Sequence, residues 1–448
     1  MNSYTIESNF KWMKDADRIL GRRTVGLAQS ARRLWIRNSI LWMSVTPALI
    51  ALLLASSVNG QSLDEIQTNL LKSSCQQLKG NSEQKQSEFF AYAGPQLSFL
   101  CDPATGGGVA PGGVASSAGG GAATSQTQFV TIARRLAKAR GKDQQAGGGA
   151  SADSTMDLGS GLNLFLSGQF EGLDRTQTHF ESGYKSNVNG VTGGADYRFT
   201  DWLVSGIAVN YNRWGGNFNT PGGFQTDSLS PILYASFLPT ENVFADIMLE
   251  YTHQWRDRSR FSSFNDTQRP LHKSSGMLSS NDYGADQIGA NALLGYDHSI
   301  GLFTIGPRLR FRYSDLNINS YTETGNTGLE MRFLSDRVTS LQSALGVQGS
   351  AALSTGFGVV VPQFAADWTH EYQFNQHNMS AQFAQDGRPV PTTFQFQNDK
   401  PDRDFFHVGT GVGLVLPNGI QPFVNFEALL GNSLFNNYVG TVGIRVEH

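Results

Sequence analysis

The chain has 448 residues, a formal net charge of −3 and a hydrophobic fraction of 39%. Its 50 glycines and 29 phenylalanines stand beside only 16% charged residues, a balance that favours many strands over helices. The near-neutral charge excludes a nucleic-acid partner, because phosphate binding needs a basic excess.

In chain order, the first element is an address. Arg22, Arg23, Arg32, Arg33 and Arg37 precede an apolar run from Ile40 to Ala55, which Pro47 interrupts. A spanning helix needs roughly 20 apolar residues, and this run falls short. Small residues follow it, so residues 1–60 are expected to be a secretory signal with a long leader, cut after Ser57 or Gly60; an uncleaved anchor is the competing reading. The only two cysteines, Cys75 and Cys101, come next. In an exported chain they are expected to form one disulfide, closing a loop of about 25 residues.

Residues 61–104 read as polar and partly helical, with Ile66, Leu70 and Leu71 at helical spacing. Residues 105–124 are a Gly/Ala/Ser linker that cannot bury a core. Over 125–157 the sequence "FVTIARRLAKARG" predicts a helix, with Phe129, Ile132, Ala133 and Leu136 on one face. Arg134, Arg135, Lys138 and Arg140 make the rest of that helix cationic.

From residue 158 onward the period is two. Strands are predicted at 162–172, 188–199, 202–214, 224–237, 243–256, 285–299, 302–316, 338–353, 357–374, 404–416, 419–431 and 437–447. Most are longer than the usual five or six residues and match the length of a tilted strand crossing a bilayer. The connections alternate between long and polar (257–284, 317–337, 375–403) and short, such as "TD", "IG" and "PN". One end of the sheet therefore carries loops and the other tight turns, as in outer-membrane barrels.

Each strand has two faces. In "FTIGPRLRFRY", Phe303, Ile305, Leu309, Phe311 and Tyr313 alternate with Arg308, Arg310 and Arg312. "VTGGADYRF" sets Val191, Tyr197 and Phe199 against Asp196 and Arg198, and "VFADIMLEY" sets Ile247, Leu249 and Tyr251 against Asp246 and Glu250. The apolar set predicts a lipid face. The polar set, with Asp367, Glu371 and Arg445, predicts a water-filled lumen in which carboxylates meet the arginines. The fold class is thus an all-β membrane protein, a 12-stranded antiparallel outer-membrane β-barrel. "GTGVGL" at 409–414 superficially matches a phosphate-binding loop, but no helix or Lys-Ser/Thr follows. It reads instead as an inward track of small residues that leaves space in the lumen.

On these strands, on "GVTGGADYRFTDWLVSGIAVNYNR" (190–213) and on "VPQFAADWTHEY" (361–372), the chain resembles the C-terminal β-domain of the autotransporters, the type V secretion family of Gram-negative bacteria. The resemblance covers roughly residues 125–448 and implies a barrel inserted by the barrel-assembly machinery with periplasmic chaperones, monomeric in outer-membrane lipid. It also implies that the 125–157 helix enters the lumen and leads a passenger outside. The assembly signal maps onto Tyr438, Gly443, Val446 and His448; "TVGIRVEH" keeps the polar-x-Gly start but ends in His448 where the family has Phe or Trp. A passenger drawn from 61–124 is very short, and no Asn lies in 125–150 for pore-helix cleavage.

No catalytic, metal or cofactor pattern appears. "HEYQF" at 370–374 has Phe374 where a zinc helix needs its second His. Asp257, Asp266, Asp282 and His272 in the loops could host an external hydrolase, although solvated surface residues are the ordinary case. The competing readings are a translocator barrel displaying a short segment, an arginine-lined channel, and an adhesin or enzyme built on external loops.

Overall fold

The structure is a computed structural model that describes residues 92–94, 96, 132 and 162–446, apart from 179, 266–272, 374, 376–377, 392 and 418–419. The chain divides into two units, Met1–Gly60 and Gln61–His448, and every described residue belongs to the second. Cys75, Cys101, Arg134, Arg135, Lys138, Arg140, Asp266, His272 and His448 lie outside the described residues.

Twelve long strands form the wall. They are β1 (Leu162–Arg175), β2 (Tyr184–Thr200), β3 (Leu203–Phe218), β4 (Gly222–Phe237), β5 (Val243–Asn265) and β6 (Lys273–Tyr296). The circuit continues with β7 (Phe303–Ile318), β8 (Asp336–Ala351), β9 (Gly358–Glu371), β10 (Asp404–Val415), β11 (Ile420–Leu430) and β12 (Phe435–Val446). Each pairs antiparallel with its neighbours. The ring closes where β1 meets β12, in a register running from Leu166 opposite Ile444 to Arg175 opposite Phe435. Closure leaves no unpaired edge, which a bilayer would penalise heavily. Among the described residues no helix is long and apolar enough to cross a membrane; the strands do the crossing.

The alternation sorts as chemistry demands. Val191, Ile207, Leu233, Ile247, Leu249 and Phe311 are exposed on the outer wall, while Thr192, Asp196, Asn210, Asp246 and Glu250 are buried on the inner one. Tyr211, Tyr251, Tyr313 and Tyr438 ring the loop end of the outer face, and Phe199, Trp202, Phe303 and Phe357 ring the turn end. These are the aromatic girdles of a bilayer-spanning barrel. At the turn end, Gly301 takes φ 60° to close the β6–β7 connection, a conformation that costs an L side chain about 1 kcal/mol or more.

Two segments expected to be loops are sheet. The 257–284 stretch continues β5 to Asn265 and starts β6 at Lys273, so the hairpin rises beyond the barrel. Its register shifts between Arg256 and Arg258, where Asp282 adopts φ 55° and its amide donates to Asp257 Oδ1 at 2.8 Å. Such a bulge increases local twist and bends the projecting ribbon. The second case is a four-stranded sheet at the loop end, built from Tyr321–Thr322, Met331–Phe333, Asn378–Phe383 and Phe394–Gln397. Its apolar residues Met331, Phe333, Met379, Ala381 and Phe383 are buried.

Candidate functional site: the lumen and its outer mouth

The lumen holds an apolar seat. Val204, Ala208, Ile232, Tyr234, Phe244, Met248 and Leu293 form one buried cluster on β3–β6, and fully buried, helical Ile132 belongs to it. Val204 and Phe244 are each the second residue of their strands, so the seat lies in the turn-end half of the barrel.

Beside the seat stands the arginine ladder. Arg308 donates to Asp367 through Nε (2.7 Å) and Nη2 (2.5 Å), and Arg310 donates to the same Asp367 Oδ2. The two partners come from β7 and β9, with β8 between them. Gly346 is the register partner of both Arg308 and Asp367, so the ion pair passes directly over it. A Cβ at Gly346 would lie 1.9 Å from Asp367 Oδ1. Arg312 is buried further up, within the fields of Glu250, Glu371 and Glu171.

The other predicted lumen residues are placed individually. Asp196 accepts from the Tyr234 hydroxyl at 3.3 Å, and Asp246 accepts from Ser236 Oγ at 2.6 Å. Glu371 accepts from Ser340 Oγ at 2.5 Å and Gln342 Nε2 at 2.9 Å. Arg198 is half-buried on β2. On β12, Tyr438 is exposed on the outer face and Gly443 pairs with Phe423; Arg445 and Val446 close the strand.

The "GTGVGL" track faces inward, and two of its three glycines lie against side chains of the neighbouring strand. A Cβ at Gly411 would meet Asn425 Oδ1 at 1.9 Å, and one at Gly409 would meet Glu427 Cγ at 3.0 Å. Gly190 works in the same way: Gln169 Nε2 reaches Asn212 Oδ1 across it at 3.1 Å. Gly190 and Gly346 are windows through which side chains two strands apart touch.

A second charged layer at the outer mouth was not foreseen. Arg256, Arg258 and Arg260 are buried on β5, the last two in the stretch expected to be loop. Arg260 pairs with Glu323 through Nε (2.6 Å) and Nη2 (2.7 Å), and Glu323 also accepts from the Met331 amide at 2.9 Å. Arg175 Nη2 bridges Asp399 Oδ2 at 2.6 Å and Glu181 Oε1 at 3.0 Å. Burial pushes the Glu181 carboxyl up to about 7 against the attraction of Arg175. Tyr283 of β6 stacks on Tyr321 (4.1 Å), and Tyr321 stacks on Phe333 (4.8 Å), which seats the loop sheet at the mouth. "RDRSR" has the same i, i+2 arginine spacing as the ladder, and that signal was available. Among the described residues no group of three or more His, Cys, Asp or Glu is placed to hold a metal ion.

Tyr92, Ala93 and Gly94 contact the turn that follows the Asn378–Phe383 strand of this sheet. The Gly94 amide donates to the Gln385 carbonyl at 2.7 Å, and the Gly387 amide donates to the Tyr92 carbonyl at 3.1 Å. Ala93 and Asp386 thereby form an antiparallel bridge.

A closed wall, two aromatic girdles, a polar interior and an apolar seat that includes Ile132 define an outer-membrane β-barrel. The autotransporter beta-domain family matches residues 164–427, and the chain belongs to it as a translocator barrel of the Gram-negative outer membrane. Outer membrane protein A of Rickettsia conorii is 24% identical over 273 residues, covering 59% of this chain and 13% of that protein. Outer membrane protein B of Rickettsia prowazekii is also 24% identical over 273 residues, covering 59% of this chain and 16% of its own length. The chain thus spans less than a fifth of either relative. The translocator domain of autotransporter NalP from Neisseria meningitidis is 16% identical with a TM-score of 0.49, over 72% of this chain and 98% of that one.

Proposed function

We propose that this barrel carries its own short N-terminal segment to the cell surface and keeps it there, with the 125–157 segment filling the lumen. One observation carries the reading. Ile132 is buried in the turn-end half of the lumen while residues 92–96 contact the loop end. These two placements, one inside the turn-end half and one at the loop end, support a path through the barrel. Tight turns face the periplasm and loops the exterior in barrels of this kind, so the contact at 92–96 belongs outside. In this reading residues 1–60 direct export, periplasmic chaperones and the barrel-assembly machinery deliver and insert the barrel, and it works as a monomer in outer-membrane lipid.

An epitope tag after Gly108, probed on intact cells with antibody and protease, tests the reading. Surface labelling is the expected result; labelling only after permeabilisation overturns it. The channel alternative is tested in planar bilayers. The full chain should conduct far less than a variant lacking 125–157, and equal conductance would favour an open pore.

A further inference from the structure

The loop end does more than cover the mouth: in the turn after the Asn378–Phe383 strand, Asp386 is paired with Ala93 in an isolated antiparallel bridge. We propose that the loop end is a docking clasp for Tyr92, Ala93, Gly94 and Gln96, holding the chain's own exported segment at the outer mouth through one antiparallel bridge and one glutamine. The inference rests on the display reading above.

Three features support it. The first is backbone complementarity. The two amide–carbonyl bonds flank the Ala93–Asp386 pair in the pattern of a single antiparallel bridge. The second is side-chain recognition. Gln385 Nε2 donates to Gln96 Oε1 at 2.9 Å, and Gln96 Nε2 donates to Asn326 Oδ1 at 2.7 Å. One glutamine of the segment is therefore read by both loops that build the sheet. The third is close approach. A Cβ at Gly94 would lie 2.4 Å from Gln385 Oε1, and one at Gly387 would lie 2.7 Å from the Tyr92 carbonyl. Both sides of the contact carry glycine where any side chain would push the strands apart.

The receiving turn is preformed. Arg388 forks onto Asp386 through Nε (2.8 Å) and Nη2 (2.6 Å), and the Asp386 amide donates to the Phe383 carbonyl at 3.1 Å. Glu330 accepts from the Thr327 amide at 2.7 Å and from Gln385 Nε2 at 3.3 Å, fixing the reading glutamine against the second loop. A preformed turn loses little entropy on docking. A segment tethered through the lumen also meets it at high effective concentration, so a few hydrogen bonds suffice.

The test is a disulfide trap in full-length chain carrying Cys75→Ser and Cys101→Ser, with a protease site inserted after Gly108. A non-hydrogen-bonded antiparallel pair sets its Cα atoms about 4.5 Å apart, within disulfide reach. Ala93→Cys with Asp386→Cys should therefore cross-link on intact cells, leaving the cut fragment attached to the barrel until reduced. Ala93→Cys with Val390→Cys serves as the off-register control, and adding Gly94→Val should slow trapping at 386 at least tenfold. Heat-modifiable gel mobility reports that each barrel is folded. Cleavage on intact cells with equal trapping at 386 and 390, or trapping unaffected by Gly94→Val, would overturn the clasp and leave display standing. Cleavage only after permeabilisation would overturn display and the clasp with it.

Discussion

Gly346→Ala is the sharpest probe of how this lumen is held together. The new methyl group would lie 1.9 Å from Asp367 Oδ1, 2.8 Å from its Cγ and 2.4 Å from the Ala366 carbonyl oxygen. Asp367 has little freedom to retreat, because its side chain is only 2% exposed and two guanidiniums hold it. Overpacking alone costs about 1–3 kcal/mol. Expelling the carboxylate from between Arg308 and Arg310 raises the cost toward the roughly 3–5 kcal/mol of a broken buried pair.

Asp367→Ala should itself cost about 3–5 kcal/mol, since it leaves two arginines on one face of β7 without their shared counter-charge. If the window argument holds, Gly346→Ala costs much less in the Asp367→Ala background, where only the Ala366 carbonyl obstructs the methyl. A coupling above about 1 kcal/mol is then expected. Urea unfolding in lipid vesicles, read by heat-modifiable gel mobility, supplies all four corners of the cycle. Additivity within about 0.5 kcal/mol would show that Gly346 is not serving the ion pair.

Three further outcomes follow from the wall and the mouth. Ile207 is 62% exposed on the outer wall of β3; Ile207→Arg should destabilise the barrel in vesicles by about 2–4 kcal/mol, and a neutral result would contradict the lipid-face assignment. Glu181 has a folded pKa raised from 4.5 to about 7, so the folded loop retains a proton that the opened loop releases. The stability of 176–183 should therefore fall as pH rises from 4.5 to 7, by up to about 1.4 kcal/mol per unit; hydrogen exchange there should accelerate across that window, and Glu181→Gln should flatten the response. Glu323→Gln breaks the buried pair with Arg260 and should loosen the mouth by about 3–5 kcal/mol, read as faster exchange at 321–333 with β1–β4 unchanged.

What the sequence revealed follows from which environments leave a mark in it. All twelve wall strands were legible because lipid on one side and polar lumen on the other force strict alternation. The β5–β6 extension was missed for the same reason. Beyond the bilayer the outer face meets water, so Asp257, Ser259 and Ser263 replace the apolar half of the code and the ribbon reads as loop. In the loop sheet, Met379, Ala381 and Phe383 do alternate, but over only six residues. The arginine ladder was plain at 308, 310 and 312, and Asp367 stood among five candidate acids. Choosing it requires the register of three neighbouring strands, which no local pattern encodes. At Gly409 and Gly411 the expected spare volume is taken by Glu427 and Asn425 of the paired strand, which no local pattern reveals.

In the display reading a cationic segment shares the barrel with three arginines, and the placement of charge in the lumen accommodates it. Arg308 and Arg310 are both committed to Asp367, and Arg312 lies within the fields of three glutamates. The ladder is thus compensated within the wall and presents little net field to whatever occupies the pore. Ile132 rests not on the charged layer but on the apolar patch of β3–β6, which borders the ladder where Leu293 pairs with Arg310. Burying one such side chain contributes about 1.5–3 kcal/mol. The lumen thereby separates two tasks, wall cohesion by ion pairs spanning glycine windows and retention of the inner segment by a greasy seat. That division predicts that Ile132→Ala raises resting conductance while leaving barrel unfolding in urea unchanged, and that Asp367→Ala lowers barrel stability directly.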